Sequence, residues 1–345
     1  MEWLEYKVAF EAKAKENKKG NRYIKKWLSY AENLYNNNLP IIYTQKHLCD
    51  LLGYLPNYVF AASNSSENFY RYFKIPKKNG GVRLISEPLP NLKDIQEWIL
   101  HNILYCVDVS AYAKAYIPKK TIKDNVRFHR RQNKVLTLDI KDFFGSLSDW
   151  MVFQFFLENG YSESVSMLLT KLCCLNGCLP QGAPTSSTLS NILMIDFDKE
   201  VAEYCLKNNI RYTRYADDMT FSGDFNAGEV INFIRKELNM MELELNDDKI
   251  RVRIQGQQQE VTGIVVNEKI QLPKRIRKEI RQHMYYISKF GLQSHLEYIG
   301  FENDNYLEQL LGKVGYAVFI NPKDEEMERY KNILIDIKKK QNDIE

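Results

Sequence analysis

The 345-residue sequence contains no apolar run approaching the roughly 18 residues that a membrane span requires. Its first twenty residues also lack the positive segment followed by an apolar core that marks a secretion signal. We therefore expect a soluble, cytoplasmic protein that makes no membrane contact. Hydrophobic residues make up 44% and charged residues 27%, which excludes a disordered chain and favours a sizeable core.

Cysteine is sparse as well, with six residues in the chain. Cys173, Cys174 and Cys178 lie together in CCLNGC, but no histidine follows at a spacing typical of a zinc site. Buried free thiols are therefore the preferred interpretation.

The net charge of +4 is too small for the whole chain to behave as a polycation. Three local stretches are strongly basic and contain or adjoin aromatic residues: 71–83, 118–134 and 274–281. Such a distribution suits a polyanion laid across several structural elements. Three solvated surfaces are the alternative, and for any one stretch alone that alternative is favoured.

The pattern of elements predicts an α+β fold with an antiparallel sheet and helices packed on one face. Residues 1–60 show helical periodicity, and the chain from Pro273 onward reads as helical with a break near NPKDEE. Between them we predict two long helices, over about 148–176 and 186–208. Strands are predicted as a hairpin turning at Asn79–Gly81, a strand at 134–140, two strands that meet at a tight turn within 210–223, one within 243–253, and a pair over 259–267.

Asp217 and Asp218 stand side by side in the apolar, aromatic stretch TRYADDMTFSG. Charged residues are rarely buried unless they are paired or bind a metal. On a regular strand the two side chains would face opposite sides of the sheet, but at a hairpin turn both are accessible from one side. Asp139, which ends the apolar strand KVLTLDI, would join them if the two strands were neighbours.

Three clustered carboxylates raise one another's pKa unless a cation neutralises them, and Mg²⁺ prefers such oxygen ligands. Two such ions are a general solution for moving a phosphoryl group between oxygens. The alternative is that Asp139 caps a helix and the aspartate pair only forms a turn, where aspartate is common.

Three ordered motifs, LTLDIKDFF (136–144), LPQGAPTSS (179–187) and YADD (215–218), resemble the palm of reverse transcriptases. VTGIVVN (261–267) and NVRFH (125–129) are similar to segments of the bacterial retron enzymes, although Val126 stands where alanine is usual. The resemblance covers about 70–320 and implies a right-hand polymerase. We expect an N-terminal helical region (1–60), fingers with a basic insertion (61–134), a palm (135–270), and a helical thumb with a tail (271–345).

The resemblance implies that Asp139, Asp217 and Asp218 are catalytic and hold two Mg²⁺ ions, with Asp218 the weaker ligand. Asp142, three residues beyond Asp139, is expected to lie outside the site. Residues implied to bind the nucleotide are Arg83, Lys77, Phe144, Gln181, Gly182 and Lys249. Arginine suits bidentate phosphate binding, a ring at position 144 would exclude a 2′-hydroxyl, and Lys249 would protonate pyrophosphate.

The resemblance also implies an RNA-binding set, in which His129 would hydrogen-bond or stack on RNA; a capping histidine is the alternative. The basic helix at 274–281 would follow the duplex backbone by charge and shape. The set comprises Asn125, His129, Val261, Thr262, Gly263, Lys274, Arg275 and Lys278.

Together these features predict a retron-type reverse transcriptase that copies part of its own structured non-coding RNA from deoxynucleotides. The family implies priming from an RNA 2′-hydroxyl, a branched RNA–DNA product (msDNA), and antiphage defence with a toxic effector protein. Two alternatives stay open. One is another bacterial reverse transcriptase, of the diversity-generating or abortive-infection type, and the other is a non-catalytic RNA-binding scaffold.

Overall fold

The structure is a computed structural model that describes residues 2–76, 80–300 and 305–342. The N-terminal region is helical, as predicted, and its third helix ends at Gly53, whose left-handed φ of 73° stops the helix. These helices are α1 (Trp3–Glu16), α2 (Asn21–Asn36), α3 (Gln45–Leu52) and α4 (Pro56–Asn64).

A two-stranded hairpin follows, in the place that the sequence predicts. Its strands are antiparallel, with Ile75 opposite Arg83, and Gly80 and Gly81 both adopt positive φ angles. Asn79, the first residue of the predicted turn, lies outside the described residues. The elements are β1 (Tyr70–Pro76), β2 (Val82–Pro88) and helix α5 (Pro90–Asn102).

The two long helices predicted in the middle of the chain are each divided into two, which corrects the prediction. Gly160, with φ of 98°, lies between the first two helices, and Met194 separates the second two. Local apolar periodicity continues across both breaks, so it did not reveal them. The elements of this region are α6 (Ile122–Val126), β3 (Lys134–Asp139), α7 (Phe143–Ser146), α8 (Asp149–Glu158), α9 (Glu163–Cys173), α10 (Pro184–Leu193) and α11 (Ile195–Lys207).

The chain also forms a four-stranded antiparallel sheet, with its strands in the order β4–β5–β3–β6. Leu136, Leu138, Met219 and Phe221 are buried on one of its faces, which explains the alternating pattern of the two central strands. The strands and the intervening helix are β4 (Arg211–Tyr215), β5 (Asp218–Gly223), α12 (Ala227–Met240) and β6 (Arg251–Ile254).

The C-terminal region is helical after a small strand pair, as predicted. Its apolar core joins the strand pair to the helices through buried residues such as Val261, Met284 and Val314. The elements are β7 (Glu260–Val261), β8 (Ile264–Val265), α13 (Lys274–Phe290), α14 (Leu292–Ile299), α15 (Tyr306–Ile320) and α16 (Glu325–Asn342).

The chain divides into two compact units, each built from three separate segments. Unit 1 comprises Met1–Pro118, Ile140–Ala202 and Asn232–Asn246, and contains the β1–β2 hairpin. Unit 2 comprises Lys119–Asp139, Glu203–Ile231 and Asp247–Glu345, and contains the four-stranded sheet. Helices and antiparallel strands together confirm the α+β class, while the predicted boundaries of fingers, palm and thumb stay predictions.

No helix in the described ranges is both long enough and apolar enough to cross a bilayer. The cysteines are free. Cys173 and Cys174 are buried, as predicted, whereas Cys178 is only half-buried. Burial raises the pKa of the Cys173 thiol to about 12.

Candidate active site

The predicted pair of aspartates lies at a tight hairpin turn. Tyr215 pairs with Asp218, so that only Ala216 and Asp217 connect β4 to β5. Ala216 has φ of 59°, a left-handed conformation that residues other than glycine rarely adopt, and its side chain is buried. The surrounding structure must therefore hold this turn in place.

Asp139 joins the hairpin through the register of the sheet. It is paired directly with Asp218 across β3 and β5, and directly paired residues project to the same face. One carboxylate oxygen from each of Asp139, Asp217 and Asp218 lies within 4.8 Å of the others. The three carboxylates therefore converge as predicted. Asp139 ends strand β3 and does not cap a helix, so the alternative is wrong.

The electrostatics of this cluster favour a bound cation. Burial, followed by the charges of Asp217 and Asp139, raises the pKa of Asp218 to about 7. Burial and the charge of Asp139 likewise raise the pKa of Asp217. Carboxylates that resist ionisation in the absence of a cation are well suited to a hard divalent ion, so the residues present fit a metal such as Mg²⁺.

Lys249 is the cation that the structure places beside the cluster. Its Nζ donates to Oδ2 of Asp139 at 2.7 Å. Partial burial opposes its positive charge, but the hydrogen bond to Asp139 and the charges of the three aspartates outweigh burial and raise the pKa of Lys249. The side chain therefore carries a proton next to the carboxylates, which a general acid requires.

The loop at Gln181–Gly182 packs against the hairpin strand β2 within unit 1. The Ser86 amide donates to the Gln181 carbonyl at 2.8 Å, and a Cβ at position 182 would lie 2.7 Å from the Ser86 carbonyl oxygen. Gly182 also has φ of 128°, so glycine is required here for two reasons. Arg83 is exposed on the same strand, whereas Lys77 lies outside the described residues.

Phe144 and Phe143 differ in burial. Phe143 is buried, whereas Phe144 is half-buried with its ring 6.4 Å from that of Tyr116, measured between centroids. Asp142 is exposed and is not one of the three residues whose carboxylates converge. These four residues belong to unit 1 and the carboxylate cluster to unit 2.

The side chain of His129, for which RNA contact is predicted, lies in the interior of unit 2. The ring is completely buried, and its two nitrogens are hydrogen-bonded to Ser222 Oγ at 2.7 Å and Thr213 Oγ1 at 2.8 Å. Asn125 is also completely buried, and its Oδ1 accepts from Thr213. Both side chains point into the protein because β4 and β5 supply hydroxyl partners that sequence spacing does not reveal.

The VTG segment is only partly available to a ligand. Val261 is completely buried in the core of unit 2, where its side chain offers no surface to a ligand. Thr262 is half-buried and Gly263 exposed, at a turn where both have positive φ. The remaining members of the predicted RNA-binding set are exposed on the first turns of α13: Lys274, Arg275 and Lys278.

Sequence reasoning missed Thr213 and Ser222, the hydroxyl partners of His129. A signal was present on β5, where Asp218, Thr220 and Ser222 alternate with apolar residues and so occupy one face of the sheet. Thr137, Thr220 and Thr213 form one cross-strand row on that face.

Comparison with known proteins agrees with this architecture. The family model described as "Reverse transcriptase (RNA-dependent DNA polymerase)" matches residues 75–302, which is more than half of the chain. The Retron Ec86 reverse transcriptase of Escherichia coli is 33% identical over 236 residues, covering 67% of this chain and 73% of that protein. The Retron Mx65 reverse transcriptase of Myxococcus xanthus is 30% identical over 330 residues, covering 89% and 75%.

Among solved structures, a telomerase from Candida albicans in complex with a fragment of telomeric RNA is similar with a TM-score of 0.45. It is 12% identical, and the match covers 77% of this chain and 60% of that one. Similarity at that level supports no conclusion about this chain.

The chain has an antiparallel sheet with three convergent aspartates, and it matches the model of a polymerase family. Together these findings identify it as a nucleotidyltransferase. The chain belongs to the reverse transcriptases, and within them to those of the retrons. Its activity is RNA-directed DNA polymerisation.

Proposed function

We propose that Asp139, Asp217 and Asp218 are the catalytic residues and that they hold two Mg²⁺ ions. The observation that carries this proposal is the convergence of three carboxylate oxygens within 4.8 Å, two of them on residues with raised pKa. When bound, the ions supply activation of the primer hydroxyl and stabilisation of charge on the leaving pyrophosphate.

Residues of the chain then orient and protonate the reacting groups. Lys249 acts as the acid that gives a proton to the leaving pyrophosphate, a role supported by its hydrogen bond to Asp139 beside the carboxylate cluster. Phe144 selects deoxynucleotides by occupying the space of a 2′-hydroxyl. Arg83 and Lys77 bind the triphosphate, while Gln181 and Gly182 contact the template or the nascent base pair.

The template in this proposal is a structured non-coding RNA, held by Thr262, Gly263 and the basic side chains of α13. Exposed lysine and arginine on a helix suit phosphate contacts that position a duplex without reading its sequence. Synthesis begins at an RNA 2′-hydroxyl, so the product is branched RNA–DNA. The support for this step is membership of the retron reverse transcriptases.

The proposed reaction is tested by expressing the gene with its flanking DNA, purifying the protein and sequencing the nucleic acid bound to it. The control is the double variant Asp217→Ala, Asp218→Ala. We expect a short DNA joined to RNA through a 2′–5′ branch in the wild type and none in the control. RNA alone in both samples would contradict the proposal and favour an RNA-binding scaffold, and DNA without a branch would favour a reverse transcriptase that primes differently.

We also propose that the protein acts in antiphage defence together with a toxic effector protein. Cells carrying the gene with its neighbours are expected to resist phage that plate normally on cells carrying the Asp217→Ala, Asp218→Ala variant. Equal plating on both strains over a broad phage panel would count against the defence role, while leaving the polymerase assignment unaffected.

A further inference from the structure

Four buried polar side chains lie on the face of the sheet that also bears Asp139 and Asp218. Residues directly paired across strands share a face, as do alternate residues along a strand, so Thr213 and Ser222 project to the same side as the two aspartates. His129 spans β4 and β5 there, with one ring nitrogen on each strand. Asn125 lies beside Thr213.

The hydrogen bonds of this group run in one direction. Thr213 Oγ1 donates its proton to Asn125 Oδ1 at 2.5 Å, so the same oxygen accepts from His129 Nε2–H. A neutral ring protonated at Nε2 accepts at Nδ1, which makes Ser222 Oγ–H the donor there. Asn125 Nδ2 donates onward to Thr262 Oγ1 at 3.4 Å. This series of hydrogen bonds therefore connects β5, β4 and the turn at Thr262–Gly263, the VTG turn.

The catalytic turn needs such support. Ala216 is held at φ of 59°, and strain of this kind persists only where neighbouring structure determines the backbone. Tyr215 pairs with Asp218 next to the turn. Two residues further from the turn on each strand, Thr213 pairs with Thr220, and these side chains project to the same face. A clamp at Thr213 and Ser222 links the two strands that lead into and out of the turn that carries Asp217.

We propose that His129 is a positioning residue for the catalytic hairpin, which it clamps by joining Thr213 of β4 to Ser222 of β5. Asn125 extends the clamp to Thr262, so that the VTG turn and the catalytic hairpin are held as one body. This inference rests on the proposed catalytic role of the aspartates. It replaces direct RNA contact by His129 with an effect on the placement of Asp217 and Asp218.

The test is steady-state incorporation of a deoxynucleotide on an unrelated primer–template, which makes no demand on recognition of the cognate RNA. His129→Ala is expected to lower kcat by about tenfold or more, because small displacements of catalytic groups are costly, with the KM for the nucleotide within about twofold of wild type. His129→Gln, whose amide can both donate and accept, is expected to restore most of kcat.

Thr213→Val keeps the shape of the side chain and removes its hydroxyl. We expect Thr213→Val to lower kcat as well. The double variant Thr213→Val, His129→Ala should have a kcat no lower than that of His129→Ala alone, because both substitutions break the same clamp. If His129→Ala does not fold, Thr213→Val and His129→Gln carry the comparison.

The matched control is His295→Ala, which truncates another buried histidine, in α14 and away from the residues of the clamp. At saturating primer–template it should lower the melting temperature without lowering kcat. The proposal is overturned if His129→Ala keeps wild-type kcat and loses only affinity for the cognate RNA. It is also overturned if His129→Gln fails to restore kcat or if His295→Ala lowers kcat equally.

A failure of this inference is distinguishable from a failure of the proposed site. Asp217→Ala is measured in the same assay. Full activity in that variant would refute the catalytic role of the aspartate, whereas loss of activity there combined with normal kcat in His129→Ala would refute only the clamp.

Discussion

At Gly182 the backbone leaves no room for a side chain. We expect Gly182→Ala to lower the free energy of unfolding by about 1–3 kcal/mol, because the new Cβ would meet the Ser86 carbonyl and the backbone has φ of 128°. Denaturant unfolding measures the effect. The matched change Gly312→Ala, in helix α15 with no atom within 4 Å, should instead gain up to about 1 kcal/mol. Equal effects at both positions would contradict this account.

The charge on Asp218 opposes folding in the absence of a cation. Its pKa is raised from 3.8 to about 7, so the folded chain holds this proton more tightly than the unfolded chain, and stability is lost as the pH rises through that interval. At pH 8 without divalent ions, Asp218→Asn should therefore be more stable than wild type, on the order of 1 kcal/mol. Denaturant unfolding in EDTA is the measurement.

The same residue should govern the response to Mg²⁺. The ion is expected to raise the melting temperature of wild type and to have a much smaller effect on Asp218→Asn, since a ligand that binds only the folded state stabilises it. Asp142→Asn is the control, because Asp142 is exposed and outside the carboxylate cluster. A full Mg²⁺ response in Asp218→Asn would argue against this residue as a ligand.

At the scale of elements, α13, α14 and α15 meet at a small polar cluster. His295 Nε2 is 2.8 Å from the Tyr306 hydroxyl and 3.2 Å from His283 Nδ1. Burial lowers the pKa of both histidines below 6.5; Glu279 opposes and Lys313 reinforces this for His283, while His283 reinforces it for His295. These three helices therefore meet around imidazoles that are held uncharged.

This arrangement predicts that acid loosens the helical region. The unfolded chain binds protons at these histidines more readily than the folded chain, so their contribution to stability is present above pH 6.5 and is lost as the pH falls below it. The melting temperature of wild type should fall by a few degrees more between pH 7 and pH 5 than that of the His283→Gln, His295→Gln double variant. His101→Gln, exposed on α5, should follow wild type. Parallel pH curves for wild type and the double variant would refute the prediction.

At the scale of the whole molecule, positive charge is concentrated in stretches although the net charge is only +4. If α13 binds phosphates, Lys274→Ala with Lys278→Ala should weaken binding to cognate and unrelated RNA duplexes alike. The slope of log affinity against log salt should fall by about one for each phosphate that the variant no longer neutralises. Filter binding over a salt series measures both quantities. Lys25→Ala, exposed on α2, is the control, and an unchanged slope in the α13 variant would exclude phosphate binding by these lysines.

Much of the fold could be predicted because its signals are local. Strand alternation placed β3, β4 and β5, and the two-residue turn at Ala216–Asp217 follows from the short spacing between strands. The helix breaks at Gly160 and Met194 were missed, since apolar periodicity measures which side of a segment is buried and carries little information about where the axis turns.

The sequence by itself placed Asp217 and Asp218 at a hairpin turn and Asp139 at the end of a strand, because strand alternation and turn signals are local. Only the tertiary structure decided that β3 and β5 are neighbours, and this pairing brings the three carboxylates together. The position of Lys249 beside Asp139 agreed with the resemblance to polymerases. Only the tertiary structure decided that Asn125, His129 and Val261 are interior residues. A polar side chain can form the same hydrogen bonds on the surface and in the core. Whether it is buried depends on segments distant in sequence that pack over it.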